Sequence, residues 1–131
     1  MKQEIKQAFN EQGYSFLLPI QEKAIPQILS RKNLFIQAAT GSGKTLAYLL
    51  PALEIADSAS NDTQILIITP TRELALQVSE VAKNTANYSK HHIVTVIGGL
   101  DIHKQENALR HRPTIIIGTP GRLMDLYSQK K

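Results

Sequence analysis

Apolar residues along this chain fall into two kinds of run. Some are short and continuous: Ile65-Leu66-Ile67-Ile68, Ile93-Val94-Thr95-Val96-Ile97 and Ile115-Ile116-Ile117, with Leu34 to Gln37 as a further strand candidate. A strand with one wet face alternates apolar and polar residues. Continuous β-branched runs instead predict strands covered on both faces, as in a parallel sheet between helices. The other runs carry helical spacing. Ile5 and Phe9 align within residues 2–12, and Ile20, Ala24 and Ile28 within 20–29. Lys44 to Asp57 reads as a helix that Pro51 kinks or splits. Arg72 to Ala86 places Leu74, Val78, Val81 and Ala82 on one side. Asp101 is a candidate N-cap for a helix reaching Arg110, and a last helix opens over Gly121 to Tyr127. Residues 58–63 are the most loop-like segment. This alternation of strand and helix predicts an α/β doubly wound fold.

Ligands of such folds sit at the carboxyl edge of the strands. The predicted strands exit into four segments, at Ala38, at Thr69-Pro70-Thr71-Arg72, at Gly98-Gly99 and at Thr119-Pro120-Gly121-Arg122. If the strands are parallel, all four exits share one edge. Six of the seven glycines lie in or beside these exits, more than chain turning alone requires.

The first exit, Ala38-Ala39-Thr40-Gly41-Ser42-Gly43-Lys44-Thr45, has the strand, glycine loop, helix order of a phosphate-binding P-loop. Glycines let successive backbone N–H groups converge on one phosphate, and the following helix adds the positive end of its dipole. Lys44 would reach the β- and γ-phosphates, and the Thr45 hydroxyl would ligate Mg²⁺. The general motif has Gly where this chain has Ala38.

At the second exit, free N–H groups, the Thr71 hydroxyl and the Arg72 guanidinium could grip phosphates, with Glu73 orienting Arg72. A capped helix with a surface arginine is the alternative. Thr119-Pro120-Gly121-Arg122 repeats that logic, with Pro120 suited to a first helical position. Together with Gly98-Gly99 these segments resemble a track for a polynucleotide backbone, salt-sensitive and poor at reading base sequence. Upstream, Tyr14 could stack on an adenine ring and Gln21 could hold its edge, or both could serve packing and surface.

Composition changes this picture little. The chain has 131 residues, 42% hydrophobic and 20% charged, with a formal net charge of +4, compatible with a polyanionic partner. It has no cysteine, which excludes disulfides and thiolate metal sites. The four histidines, His91, His92, His103 and His111, lack metal-ligand company and read as solvated surface residues. No apolar run approaches the ~18 residues that span a bilayer. The first residues lack the apolar core of a signal peptide, so a cytoplasmic protein is expected.

The ordered motifs resemble the N-terminal, RecA-like domain of DEAD-box ATP-dependent RNA helicases. Ala38, Gly41, Gly43, Lys44 and Thr45 match A-x-x-G-x-G-K-T, and Pro70-Thr71-Arg72-Glu73-Leu74-Ala75 matches P-T-R-E-L-A in full. Gly98-Gly99 corresponds to the family's G-G, Thr119-Pro120-Gly121-Arg122 to T-P-G-R, and Gly13-Tyr14 through Gln21 to the Q motif. The resemblance implies a P-loop NTPase fold, with residues 1–30 as a Q-motif region and 31–131 as the P-loop core. It implies ATP and Mg²⁺ as cofactors, RNA as a backbone-held partner, a second RecA-like domain in cis, and ATP-driven duplex unwinding by the intact protein. Tyr14, Gln21 and residues 39–45 would bind nucleotide. Lys44 and Thr45 would serve the chemistry. Pro70 to Glu73, Gly98, Gly99 and Thr119 to Arg122 would hold RNA.

Two departures bear on this. Leu17-Leu18 stands where the family's Q motif has Pro-Thr, so the hydroxyl linking that motif to the P-loop is lost. The Asp-Glu-Ala-Asp and Ser-Ala-Thr motifs do not occur in these residues. The chain alone is therefore expected to bind nucleotide weakly and RNA very weakly, without turning over ATP, and to carry an exposed sheet edge prone to self-association. A non-enzymatic nucleotide- and RNA-binding module, or an unrelated P-loop NTPase such as a small-molecule kinase, are the competing readings.

Overall fold

Six helices and three strands form in this computed structural model, which describes residues 2–39, 41–57 and 59–128. The order is α1 (Gln3–Glu11), α2 (Pro19–Leu29), α3 (Lys44–Ile55), β1 (Ile65–Ile68), α4 (Arg72–Thr85), β2 (Ile93–Val96), α5 (Ile102–Leu109), β3 (Ile115–Gly118) and α6 (Pro120–Ser128). The chain divides into two units, Met1–Ala56 with Val81–Ser89, and Asp57–Glu80 with Lys90–Lys131. The expected boundary at residue 30 falls inside the first.

The first unit is helical. α3 packs against α1 and α2, burying Leu46, Leu49, Leu50 and Leu53 along with Ile5, Ala8 and Phe9 of α1 and Ala24 of α2. Ile5 and Phe9 are one turn apart, so the spacing read from sequence is the face that is buried. Pro51 is buried within α3, which runs as one helix past it rather than splitting.

The second unit is a parallel three-stranded sheet ordered β1-β3-β2. The strand last in sequence lies in the middle, and Ile115 and Ile117 are fully buried there. Parallel neighbours need crossovers, which α4 and α5 supply. Register places Ile68, Gly118 and Val96 in one row. Two further bonds, Thr69 N–H to Gly118 O at 2.9 Å and Thr119 N–H to Val96 O at 3.2 Å, carry the pairing into the exits. Three strand exits therefore leave the sheet at one level.

Three expectations fail here. Leu34 to Gln37 forms no strand, and Phe35 is 93% exposed. A strand exists only through bonds to a neighbouring strand, and this segment has none among the described residues. β1 is not covered on both faces: Leu66 and Ile68 are each 58% exposed, and one edge of β1 is open among the described residues. On α4, Leu74 is exposed, while Ala75, Val78, Ser79, Ala82 and Thr85 form the buried stripe. No described helix is long and apolar enough to cross a membrane.

Candidate functional site

The P-loop turns at Gly43, whose φ of 88° lies in the left-handed region that glycine occupies without strain. A Cβ there would lie 2.6 Å from Gln21 Nε2 and 2.8 Å from Leu18 Cδ1, so the loop also needs glycine for room. α3 starts at the next residue, leaving its first amides free of helical partners. Lys44 Nζ donates to Ala38 O at 2.7 Å, across the mouth of the loop. Ser42 Oγ is buried and finds no partner among the described residues. Left-handed glycine, free helix-start amides, an orphaned buried hydroxyl and a cation on the loop carbonyl make a donor set suited to phosphate oxygens. Ala39 and Gly41 belong to the same loop, and Thr40 lies outside the described residues.

Burial pushes the Tyr48 phenol above its ordinary pKa, and a hydrogen bond with the Thr45 side chain opposes that shift. The Thr45 hydroxyl thus has a partner one turn along α3. Among the described residues no cluster of three or more acidic, histidine or cysteine side chains could hold a metal ion.

Gln21 is only 2% exposed, and both ends of its amide are engaged. Its Oε1 accepts from Leu18 N–H at 2.9 Å, and its Nε2 donates to Gly43 O at 3.2 Å. The amide itself thus ties the Q-motif region to the P-loop, a link the sequence put in doubt when Leu18 replaced the family's threonine. The Tyr14 ring stacks on Phe9, with centroids 5.1 Å apart and planes inclined by 27°. Sequence reasoning missed Phe16, which is 72% exposed and lines a hollow of about 270 Å³ with Lys6, Phe9, Asn10, Ser15 and Leu17. An aromatic two residues after Tyr14 was the available signal.

In the second unit the three exits meet. Pro70 to Glu73, Gly98, Gly99, Thr119, Gly121, Arg122 and Asp125 line one cleft of about 570 Å³. Pro120 is not in its lining; it is the first residue of α6, as its fixed φ favours. Thr71 Oγ1 caps α4 by accepting from Leu74 N–H at 3.2 Å. Arg72 Nη1 donates to Gly98 O at 3.2 Å, and Arg122 Nη1 to Leu100 O at 3.2 Å. The two arginines therefore hold the glycine turn from both sides. Gly99, with φ of 83°, leaves the space that the Arg72 guanidinium fills. Gln105 and Asp125, which sequence reasoning passed over, also touch Arg122. Of the histidines, His91 is buried rather than solvated, whereas His103 is exposed and lies 3.6 Å from Glu106.

The family model described as DEAD/DEAH box helicase matches residues 18–131. The chain belongs to the DEAD/DEAH box helicase family. This DEAD-box chain is 46% identical over 131 residues to the ATP-dependent RNA helicase CshA of Listeria monocytogenes, covering 99% of this chain and 25% of that protein. Its structure is similar to a hypothetical ATP-dependent RNA helicase from Sulfolobus tokodaii, with TM-score 0.90, 38% identity, and coverage of 99% of this chain and 37% of the other. It is also similar to Mss116p bound to ssRNA and AMP-PNP, with TM-score 0.85, 32% identity, and coverage of 98% and 28%. The chain spans about a quarter of the length of the curated relatives it matches. These likenesses agree with the parallel α/β architecture expected of a RecA-like P-loop fold.

Proposed function

We propose that these residues supply the triphosphate cradle and the RNA-backbone track of an ATP-dependent RNA helicase, as the N-terminal part of its first RecA-like domain. The second RecA-like domain acts in cis in the intact protein. Residues 1–30 form the Q-motif region and 31–131 the P-loop core. The observation that carries the reading is the cleft of about 570 Å³ on which three separate strand exits converge with two arginines. A small-molecule kinase has no use for that second polyanion site. The relatives' names support the helicase reading, as does the nucleotide- and RNA-bound state of Mss116p.

Lys44 and the loop amides from Ala39 to Thr45 hold the phosphates of ATP, and Lys44 exchanges Ala38 O for a phosphate oxygen as it does so. Mg²⁺, when bound, offsets phosphate charge, and the Thr45 hydroxyl is the ligand this chain offers it. Gln21 and an aromatic face, Tyr14 or the more exposed Phe16, receive adenine. Arg72 and Arg122 hold phosphates of single-stranded RNA, with the amides of Gly98, Gly99 and Gly121 and the hydroxyls of Thr71 and Thr119. Pro70, Glu73 and Pro120 set the shape of that track. Such contacts carry affinity without sequence preference. The location of the intact protein is the cytoplasm.

The test is fluorescence anisotropy with a labelled oligouridylate over a range of salt, beside titration of a fluorescent ATP analogue. RNA affinity should fall linearly on a log–log salt plot, and Arg72→Ala should weaken RNA without touching nucleotide. Salt-independent RNA binding, or binding that survives loss of both arginines, would sink the reading.

A further inference from the structure

Gln105 is a buried amide that joins two walls of the cleft. It lies on α5, 6% exposed, with both polar atoms engaged. Its Nε2 donates to Ile97 O at 2.9 Å, where β2 leaves the sheet toward the glycine turn. Its Oε1 accepts from Arg122 Nη1 at 2.9 Å. Because Nη1 also donates to Leu100 O, both of its protons are committed. Arg122 is held deep, its side chain 13% exposed.

A rival for Arg122 stands close by. The Asp125 carboxylate lies 3.9 Å from Arg122 Nε, one helical turn along α6, and also lines the cleft. An arginine paired to a carboxylate is a poor phosphate ligand, because its charge is already offset. A neutral amide can fix the same guanidinium without cancelling any charge. The Nε proton is buried without a hydrogen-bond partner among the described residues, so Gln105 and Leu100, rather than Asp125, fix the guanidinium.

We infer that Gln105 is a positioning residue for nucleic-acid binding: it fixes the Arg122 guanidinium so that Asp125 stays a 3.9 Å neighbour rather than a hydrogen-bond partner, and by the same amide anchors the start of the glycine turn. This rests on the reading of the cleft as an RNA track. Arg122 is the group that meets phosphate; Gln105 acts through it.

The experiment measures binding of a labelled oligouridylate to the 131-residue chain and its variants across a salt series, with a thermal melt of each. Gln105→Leu should lower affinity roughly five- to tenfold, the scale of one misdirected charge-assisted contact. Its salt slope should be shallower by about one, as one phosphate goes unneutralised. Adding Asp125→Asn to Gln105→Leu should restore most of the affinity, a rescue that simple damage to the fold does not give. Gln105→Glu keeps the shape but introduces a carboxylate beside Arg122 and loses the donor to Ile97 O, so it should flatten the salt slope with some loss of melting temperature. If Gln105→Leu does not fold, Gln105→Glu still decides the matter. Slowed rotation of the Arg122 guanidinium in nitrogen NMR of the unsubstituted chain, absent in Gln105→Leu, should report the restraint without RNA. If Arg72→Ala weakens RNA binding while Gln105→Glu and the Leu variant leave affinity and slope unchanged, the inference is overturned and the cleft reading stands. If the unsubstituted chain does not bind RNA, the cleft reading falls and takes this inference with it.

Discussion

The P-loop region and the three-exit cleft, the two places proposed to meet phosphates, hold their polar groups differently. In the first unit the polar groups are turned inward. Lys44 is bonded to Ala38 O, and Gln21 to Leu18 N–H and Gly43 O. One of the three Lys44 N–H donors is thus spent on the loop, and both polar ends of the Gln21 amide are engaged. In the second unit the arginines bond loop carbonyls from the flanks, and the cleft between them is open. The difference teaches that a lysine at a glycine loop can spend a donor on the loop's own carbonyl, while arginines braced by loop carbonyls still line an open cleft.

The largest effect that would break this comparison is in the first unit. Lys44→Ala should weaken a fluorescent ATP analogue about 10- to 100-fold, the range for a charge-assisted phosphate contact. Unchanged affinity in that titration means the loop is not the phosphate site. Gly43→Ala comes next. It forces an alanine to φ of 88° and into Gln21 and Leu18, and should cost about 1–3 kcal/mol in a denaturant melt. A neutral result would show that the loop relaxes freely and is not held by Gln21.

In the second unit, Arg72→Ala should reduce the salt slope of RNA binding by about one while leaving nucleotide affinity alone. A change in both would mean that the two sites are not the separate devices described. A smaller effect concerns the open edge of β1. Leu66→Lys with Ile68→Lys should lower self-association in sedimentation velocity without lowering the melting temperature, since both side chains are already exposed. Unaltered association would place the sticky surface elsewhere.

The smallest effect is electrostatic. The Tyr88 hydroxyl donates to Glu11 Oε2, and that hydrogen bond, with minor desolvation and the carboxylate's charge, raises the Tyr88 pKa from its ordinary 10.0. A raised folded-state pKa means the contribution is complete below about pH 10 and disappears as pH rises through the folded value. Tyr88→Phe should remove that alkaline slope from the pH dependence of stability, which a melting series above neutral pH would reveal.

Much of this was written locally. The P-loop spacing, the Asp101 cap whose Oδ1 accepts from His103 N–H at 2.8 Å, the buried pair Ile5 and Phe9, and the β-branched runs of β2 and β3 all act within a turn or a strand. Short-range backbone and side-chain preferences determine such features, so one sequence suffices to read them. Arg72, Gly99 and Arg122 could be singled out by their motifs, but the bonds from Arg72 to Gly98 O and from Arg122 to Leu100 O, 26 and 22 positions apart, were not written locally. Only the tertiary structure decided what depends on distant partners. Leu34 to Gln37 has strand-like residues but no described neighbour to bond, and β1 carries a continuous apolar run with one face uncovered. Gln105 gave no local sign, because its role is a hydrogen bond to an arginine 17 positions away. Pairing and burial are relations between segments far apart along the chain, and a pattern of apolar and polar letters states what a segment can join, never which segment comes to join it.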